Sequence, residues 1–239
     1  MKNQYFGDVK DYVKYGILRV LTDQMKCRLM VNWMLTDDDS SGEGRHRYYL
    51  CNKNRGKWRF LDQELYDRLY QVVKVENQRN VTCGKYCINS AEVSFFDKVL
   101  SSGEFQRKIF FNEFDNAVGG FDLIFFDPDI GMAYPDEKKA LKQPSKYLFW
   151  PELSRYYSEF SKSLLFYQHR RQSDSPRTLI DKTLIEVHKN MQPENIWVFY
   201  RADVAFFLIP QCHVSKIASD AAREFKNKWG RKVAVEEHV

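Results

Sequence analysis

The chain has 239 residues, of which 44% are hydrophobic and 29% charged, enough apolar material for one or at most two packed domains. Its 15% aromatic share argues against intrinsic disorder, and no apolar run reaches the roughly 18 residues that span a bilayer. The first residues lack the apolar segment of a secretory signal, so we expect a cytoplasmic protein without a membrane partner. The five cysteines, an odd number, are expected to be reduced thiols.

The charge balance permits a nucleic-acid partner without requiring one. The formal net charge is +5, from 37 Lys and Arg against 32 Asp and Glu. One stretch is rich in basic side chains with aromatic rings among them: Arg45, Arg47, Lys53, Arg55, Lys57 and Arg59, with Tyr48, Tyr49 and Trp58. This mixture indicates a surface that contacts phosphates and stacks on bases. The alternative is an edge strand or loop kept soluble by its charges.

The first predicted element is a helix from about Asp8 to Met25, because its apolar residues recur at helical spacing and Asp8 is a natural N-cap. Arg28 to Leu35 then forms a short apolar strand that ends at the loop TDDDSSGEG. We expect a second extended segment in RYYLCN (47–52). A helix with one apolar face follows from Asp62 to Glu76.

The middle of the chain contains the clearest strand. Between Asn77 and Asn116 we expect a strand near Val81 to Ile88, and one or two helices before Gly119. Phe121 to Phe126 is a continuous apolar run between Gly-Gly and Asp-Pro. A strand of this kind is buried on both faces, as in the centre of a parallel sheet covered by helices.

The last third of the chain alternates strands with helices. Further strands are expected at Ser163 to Gln168, Ile196 to Tyr200 and Ala205 to Ile209, the last two close enough to form a hairpin. Helices are expected at Pro151 to Phe160, Pro176 to Asn190 and Ser215 to Trp229. The sequence thus predicts a single α/β domain over 1–239, with a helical N-terminal segment of about 1–25. We expect a Rossmann-like, doubly wound, mostly parallel sheet with an antiparallel edge and helices on both faces.

Polar residues follow three of the predicted strands, where an open α/β sheet binds its ligands. They are Asp37 to Asp39 with Gly42 and Gly44, then Asp127-Pro128-Asp129, and then Gln168-His169-Arg170-Arg171. Pro128 fixes its φ and Gly131 is available for a positive φ, so the acids at 127 and 129 are expected in a defined turn. If the three strand ends are neighbours, they form one crevice with acidic and cationic walls. Each segment also has a plain interpretation as a turn or a helix cap.

Two motifs of the chain occur together in a known superfamily. The segments DVKDYVKYGILRVL and FDLIFFDPDIG resemble two related groups of class I S-adenosylmethionine-dependent methyltransferases. One group is the ribosomal-RNA adenine-N6 methyltransferases, with a D-x-x-K-H-x-x-L pattern; the other is the three-Cys-motif partner proteins, with K-H-x-x-L and D-P-F-G patterns. Asp11 and Lys14 to Leu18 match the first motif, and Asp127-Pro128-Asp129 matches the second.

The resemblance implies a methyltransferase-like protein that binds S-adenosylmethionine and acts on a nucleic acid. The expected catalytic residues are Asp127, Asp129 and His169; the expected cofactor-binding residues are Lys14, Asp37, Asp38, Gly42 and Gly44. The expected substrate-binding residues are Arg45, Arg47, Arg55, Arg59, Arg170 and Arg171. Adenine-N6 enzymes carry a D-P-P-Y or N-P-P-Y turn. In this chain Asp129 and Ile130 stand in place of the second proline and the aromatic residue of that turn. The resemblance therefore supports the expected fold more strongly than the expected activity.

Two other functions use the same residues. In a Mg²⁺- or Mn²⁺-dependent nuclease or phosphoesterase, Asp127, Asp129, Asp38 and Glu152 would supply the metal ligands. His169 would then be a base or a phosphate donor beside Arg170 and Arg171. The third hypothesis is a catalytically silent module that keeps the fold and binds nucleic acid.

Overall fold

The computed structural model describes residues 1–38, 46–88, 92–135 and 138–239. Its strands are β1 (Leu29–Asn32), β2 (Val93–Phe96), β3 (Leu123–Phe126), β4 (Gly131–Met132), β5 (Tyr147–Leu148), β6 (Ser163–His169), β7 (Ile196–Arg201), β8 (Val204–Ile209) and β9 (Ala234–His238). Its α-helices are α1 (Val9–Met25), α2 (Asn52–Trp58), α3 (Gln63–Tyr70), α4 (Gly84–Ile88), α5 (Glu104–Ala117), α6 (Lys138–Lys142), α7 (Trp150–Ser158), α8 (Pro176–Asn190) and α9 (Ser215–Trp229).

The main sheet is mixed, and the predicted α/β fold class is confirmed. Within the described residues it has seven strands in the order β2-β1-β3-β6-β8-β7-β9. The first four of these are parallel to one another, and β8, β7 and β9 each pair antiparallel to a neighbour. The predicted hairpin of β7 and β8 is therefore present. The short strands β4 and β5 form a separate parallel pair.

Side chains of β3 alternate between two hydrophobic cores. Leu123 and Phe125 belong to the core built with α1, α3 and α9, whereas Ile124 and Phe126 belong to the core built with α5, α7 and α8. A strand covered on both faces has no solvated side, and this explains why its sequence is an unbroken apolar run.

The N-terminal helix begins and packs as its sequence predicts. The Asp8 side chain accepts hydrogen bonds from the backbone N–H groups of Lys10 and Asp11, and this caps α1. A Cβ atom at Gly16 would lie 2.3 Å from the ring of Trp229 in α9. The glycine therefore sets how closely α1 and α9 approach.

Two predicted extended segments are helical instead. Within 47–52, Tyr48–Leu50 is a 3-10 helix, because the hydroxyl of Tyr66 donates to the Tyr49 carbonyl and the Tyr49 hydroxyl donates to the Gly7 carbonyl. Val81–Cys83 is also a 3-10 helix and continues into α4; the Asn80 side chain caps it by accepting from Thr82. In both places local hydrogen bonds and ring packing override the β propensity.

Other predicted elements agree with the structure. The helix expected from Asp62 onward begins with Asp62 as its N-cap and covers α3 and a π-helical turn. The predicted helices at α7, α8 and α9 are also confirmed. None of the described helices combines the length and the apolarity that a membrane crossing needs.

Candidate functional site

A cleft at the strand ends lies beside the point where the sheet reverses its strand order. The chain passes from β1 to β2 on one side and continues with β3 on the other side of β1. The carboxyl ends of β1 and β3 therefore flank a topological switch point, the usual ligand site of such sheets. Among the residues that line the cleft, a cavity of about 500 Å³, the acids are Asp8, Asp11, Asp127, Asp129 and Asp203, and the bases are Lys2, Lys10, Lys14, Lys146, His46 and His169.

The predicted turn after the central strand is confirmed. Gly131 has a φ of +130°, a conformation that L side chains rarely adopt. A Cβ atom there would also lie 2.5 Å from the Gln168 Oε1 atom, and that atom accepts a hydrogen bond from the Met132 N–H at 2.7 Å. The side chain of Gln168 in β6 thus fixes the path of the chain beyond Asp129.

A buried ion cluster joins the N-terminal helix to this turn. The Lys14 Nζ atom lies 2.7 Å from Asp127 Oδ2 and 2.8 Å from Asp11 Oδ1, and all three side chains are at most 3% exposed. Burial alone would lower the pKa of Lys14, but the two carboxylates raise it, so the ammonium stays charged. Burial raises the pKa of Asp127, and Lys14 opposes that effect.

The second acid of the turn faces the same cleft. Asp129 Oδ2 accepts a hydrogen bond from the Thr36 hydroxyl at 2.8 Å. Its Oδ1 atom lies 2.7 Å from the Met1 ammonium. The Asp127-Pro128-Asp129 turn is therefore held from both the segment after β1 and the N-terminal segment.

The opposite wall of the cleft carries a histidine with an acidic neighbour. His169 Nδ1 lies 3.2 Å from the Tyr167 hydroxyl and 3.8 Å from Asp203 Oδ2. Lys10 Nζ in turn lies 2.8 Å from the same Asp203 oxygen. Although burial would raise the pKa of Asp203, Lys10 and then His169 lower it, so this side chain is a carboxylate beside the imidazole.

One acid of the cleft titrates near neutrality. Burial, together with the charge of Asp11, raises the pKa of Asp8 to about 7. Because the Asp8 carboxyl also caps α1, its protonation changes the group that accepts hydrogen bonds from the first N–H groups of the helix.

The residues expected to bind the cofactor are only partly brought together. Lys14 lines the cleft, but Asp37 and Asp38 are exposed and do not line it. Asp38 Oδ1 instead accepts a hydrogen bond from the Gln4 N–H at 3.1 Å. Gly42 and Gly44 lie outside the described residues.

The arginines expected to bind substrate are dispersed, and several are engaged within the protein. Arg59 makes a bidentate ion pair with Asp67, and Arg55 lies 3.9 Å from the same carboxylate. Arg47 donates to the Phe6 carbonyl. In addition, Arg170 donates to the Asp174 carbonyl, Arg171 lies over the ring of Tyr134, and Arg45 lies outside the described residues.

Glu152, a metal ligand in the nuclease hypothesis, lies elsewhere. Its carboxylate accepts two hydrogen bonds from Arg107 at 2.6 Å and one from the Phe149 N–H at 2.9 Å. The Glu152 side chain therefore stabilises the N-terminus of α7. Asp127, Asp129 and His169 do line one cleft.

Lys10, Tyr167 and Asp203 are among the side chains of the cleft that sequence reasoning missed. A signal for Asp203 was present, because the predicted hairpin of β7 and β8 has its turn at the carboxyl end of β7. Since β7 runs parallel to β6, that turn lies at the same edge as His169, and His169 pairs with Val204 in the sheet.

The fold and the cleft define an α/β protein with a Rossmann-like sheet and a cleft at its switch point. No family model and no curated protein matches the sequence. Among solved structures, the crystal structure of protein LPL1258 from Legionella pneumophila str. Philadelphia 1, a protein of the family DUF519, is similar in fold. The TM-score is 0.52 at 11% sequence identity, over 98% of this chain and 97% of that chain.

Proposed function

We propose that the protein is a methyltransferase-like enzyme that binds S-adenosylmethionine and acts on a nucleic acid in the strand-end cleft. The ion pair between Lys14 and Asp127 is the observation that carries this proposal. These residues belong to the two motifs of the resemblance, are 113 positions apart in sequence, and meet at 2.7 Å. Their contact gives the two motifs a common location at the switch point.

The cleft suits the proposed cofactor in size and charge. Its volume of about 500 Å³ falls in the range of small-molecule sites. The methionine part of S-adenosylmethionine carries a carboxylate, an ammonium and a sulfonium group, and the lining offers both signs of charge. Lys10 and Lys146 would hold the carboxylate, and Asp8 and Asp129 would hold the cationic groups. The cofactor, when bound, supplies an electrophilic methyl group.

The residues of the chain then have distinct roles. Asp127, held by Lys14, accepts a hydrogen bond from the group to be methylated. Methylation would break the cofactor's bond between sulfur and the methyl group and one bond to hydrogen in the acceptor group; His169 would accept the released proton at Nε2. The Asp203 carboxylate favours the tautomer with its proton on Nδ1 and stabilises the imidazolium that forms.

Calorimetric titration of the full chain with S-adenosylmethionine tests the cofactor. We expect saturable binding and a higher melting temperature at millimolar cofactor. His169→Gln should keep this binding and lower kcat by roughly 10²-fold or more, because it removes only the proton acceptor. The proposal would be overturned if wild-type protein shows no heat of binding and no shift in melting temperature with S-adenosylmethionine.

The nuclease alternative has less support from the same residues. Lys14 neutralises the Asp127 carboxylate, and Glu152 is bound to Arg107. Within the described ranges, no group of three or more His, Cys, Asp or Glu side chains is arranged to hold a metal ion. Binding of Mg²⁺ that is lost in Asp129→Asn, without S-adenosylmethionine binding, would favour the nuclease.

A further inference from the structure

The ring of Trp58, at the end of α2, lies between two cations from distant parts of the chain. The Arg201 guanidinium, at the end of β7, is 4.9 Å from the ring centroid, and the Lys232 ammonium, after α9, is 5.0 Å from it. The indole is 3% exposed, so the two cations cover it. Cation–π contacts thus hold two positive charges against one indole ring.

These cations lack acidic partners, unlike other basic residues of the same region. Among the described residues no carboxylate forms an ion pair with Arg201 or Lys232, and the buried Arg201 Nε atom has no hydrogen-bond acceptor. Lys57 and Arg231, which adjoin Trp58 and Lys232 in sequence, are exposed and form no ion pair with another described residue. Mutual repulsion of such a cluster is relieved when an anion binds.

The cluster continues into the strand-end cleft. Arg201 Nη2 donates to the Tyr48 hydroxyl at 3.0 Å. Both residues line a second cavity of about 230 Å³ with Lys10, His46 and Asp203, and these three also line the strand-end cleft. A ligand that spans both cavities therefore passes Arg201 on its way to His169.

We infer that this surface binds the phosphate backbone of a single-stranded nucleic acid whose target nucleotide enters the strand-end cleft. We call it the Trp58 surface; it consists of Arg201, Lys232 and Tyr48, which all lie against the Trp58 ring. Rings beside the cations favour nucleic acid over a lipid surface or an acidic protein, because bases stack on them. The ring of Tyr48 lies 6.0 Å from that of Trp58 and is 40% exposed. The inference deepens the proposed function and rests on its nucleic-acid substrate.

Fluorescence anisotropy with a labelled single-stranded RNA, at several salt concentrations and without cofactor, tests this inference. The double variant Arg201→Gln with Lys232→Gln should weaken binding about tenfold. It should also reduce the slope of log K against log salt by about 1.4, for two lost phosphate contacts. The matched control is Lys108→Gln with Lys189→Gln, on α5 and α8 at the other face of the sheet, and it should bind as wild type does. Circular dichroism melting checks that both variants fold.

Three outcomes overturn the inference: wild-type affinity in the folded double variant, an equal loss in the control, or tighter binding to phosphatidylserine vesicles than to RNA. The test is separable from the cofactor proposal, because no S-adenosylmethionine is present. RNA binding that depends on Arg201 and Lys232, in a protein that does not bind the cofactor, supports the surface and contradicts methyl transfer.

Discussion

At the residue scale, the central feature is a lysine buried between two carboxylates. The side chains of Lys14, Asp11 and Asp127 are at most 3% exposed, although all three line the wall of the strand-end cleft. Removing one partner of such a cluster leaves an uncompensated buried charge, which is far more costly than losing an exposed ion pair. The cluster therefore ties the geometry of the Asp127-Pro128-Asp129 turn to the position of α1.

Lys14→Met should destabilise the protein by roughly 3–5 kcal/mol, because Asp11 and Asp127 then lose the ammonium group that pairs with both of them. Adding Asp127→Asn to this variant should recover part of the loss, since one of the two charges is gone. Urea unfolding of wild type, both single variants and the double variant gives the coupling energy. Additive effects of the two substitutions would contradict the buried contact.

Asp8→Asn tests the acid whose pKa is raised to about 7 from 3.8. The protonated acid is favoured in the folded state, so its stabilising contribution is complete below about pH 4 and is lost as pH rises through 7. Asparagine caps a helix equally well. The stability of Asp8→Asn relative to wild type should therefore increase from pH 4 to above pH 7. The increase is about 1.4 kcal/mol for each tenfold difference in the proton affinity of Asp8 between the folded and unfolded states. Chemical denaturation at pH 4, 6 and 8 measures it, and parallel pH profiles would refute the raised pKa.

At the element scale, the sequence predicts best where one physical demand dominates. The apolar run of β3 reflects burial on both faces, and Asp8 and Asp62 cap the helices whose periodicity they precede. The sequence predicts less well where tertiary contacts decide. β2 and β9, at the two edges of the sheet, are partly exposed and have mixed patterns, and the helical turn at Val81–Cys83 depends on a cap from Asn80.

Gly16→Ala tests the contact of α1 with α9. The added methyl group meets the Trp229 ring, so we expect a loss of about 1–3 kcal/mol from overpacking. Gly56→Ala in α2 is the matched control, because a Cβ atom there meets nothing within 4 Å. It should stabilise the protein by roughly 0.5–1 kcal/mol through helix propensity. Thermal melts compare the two, and equal effects would mean that α1 and α9 are not in close contact.

At the scale of the whole molecule, the +5 net charge conceals a division of charge between two surfaces. The strand-end cleft mixes acids and bases, whereas the Trp58 surface is cationic without acidic partners among the described residues. The turn at Asp127-Pro128-Asp129 and the place of His169 could be predicted, because residues after buried strands meet at one edge. Arg201 and Lys232 could not, since only the packing of α2, β7 and α9 brings them to Trp58.

The central claim is methyl transfer in the strand-end cleft, and its most direct test follows a radiolabelled methyl group from S-adenosylmethionine into nucleic acid. Wild-type protein should label single-stranded RNA or DNA. His169→Gln should label it at least about 10²-fold more slowly while binding the cofactor normally. No label in any nucleic acid, or an undiminished rate in His169→Gln, would contradict the mechanism.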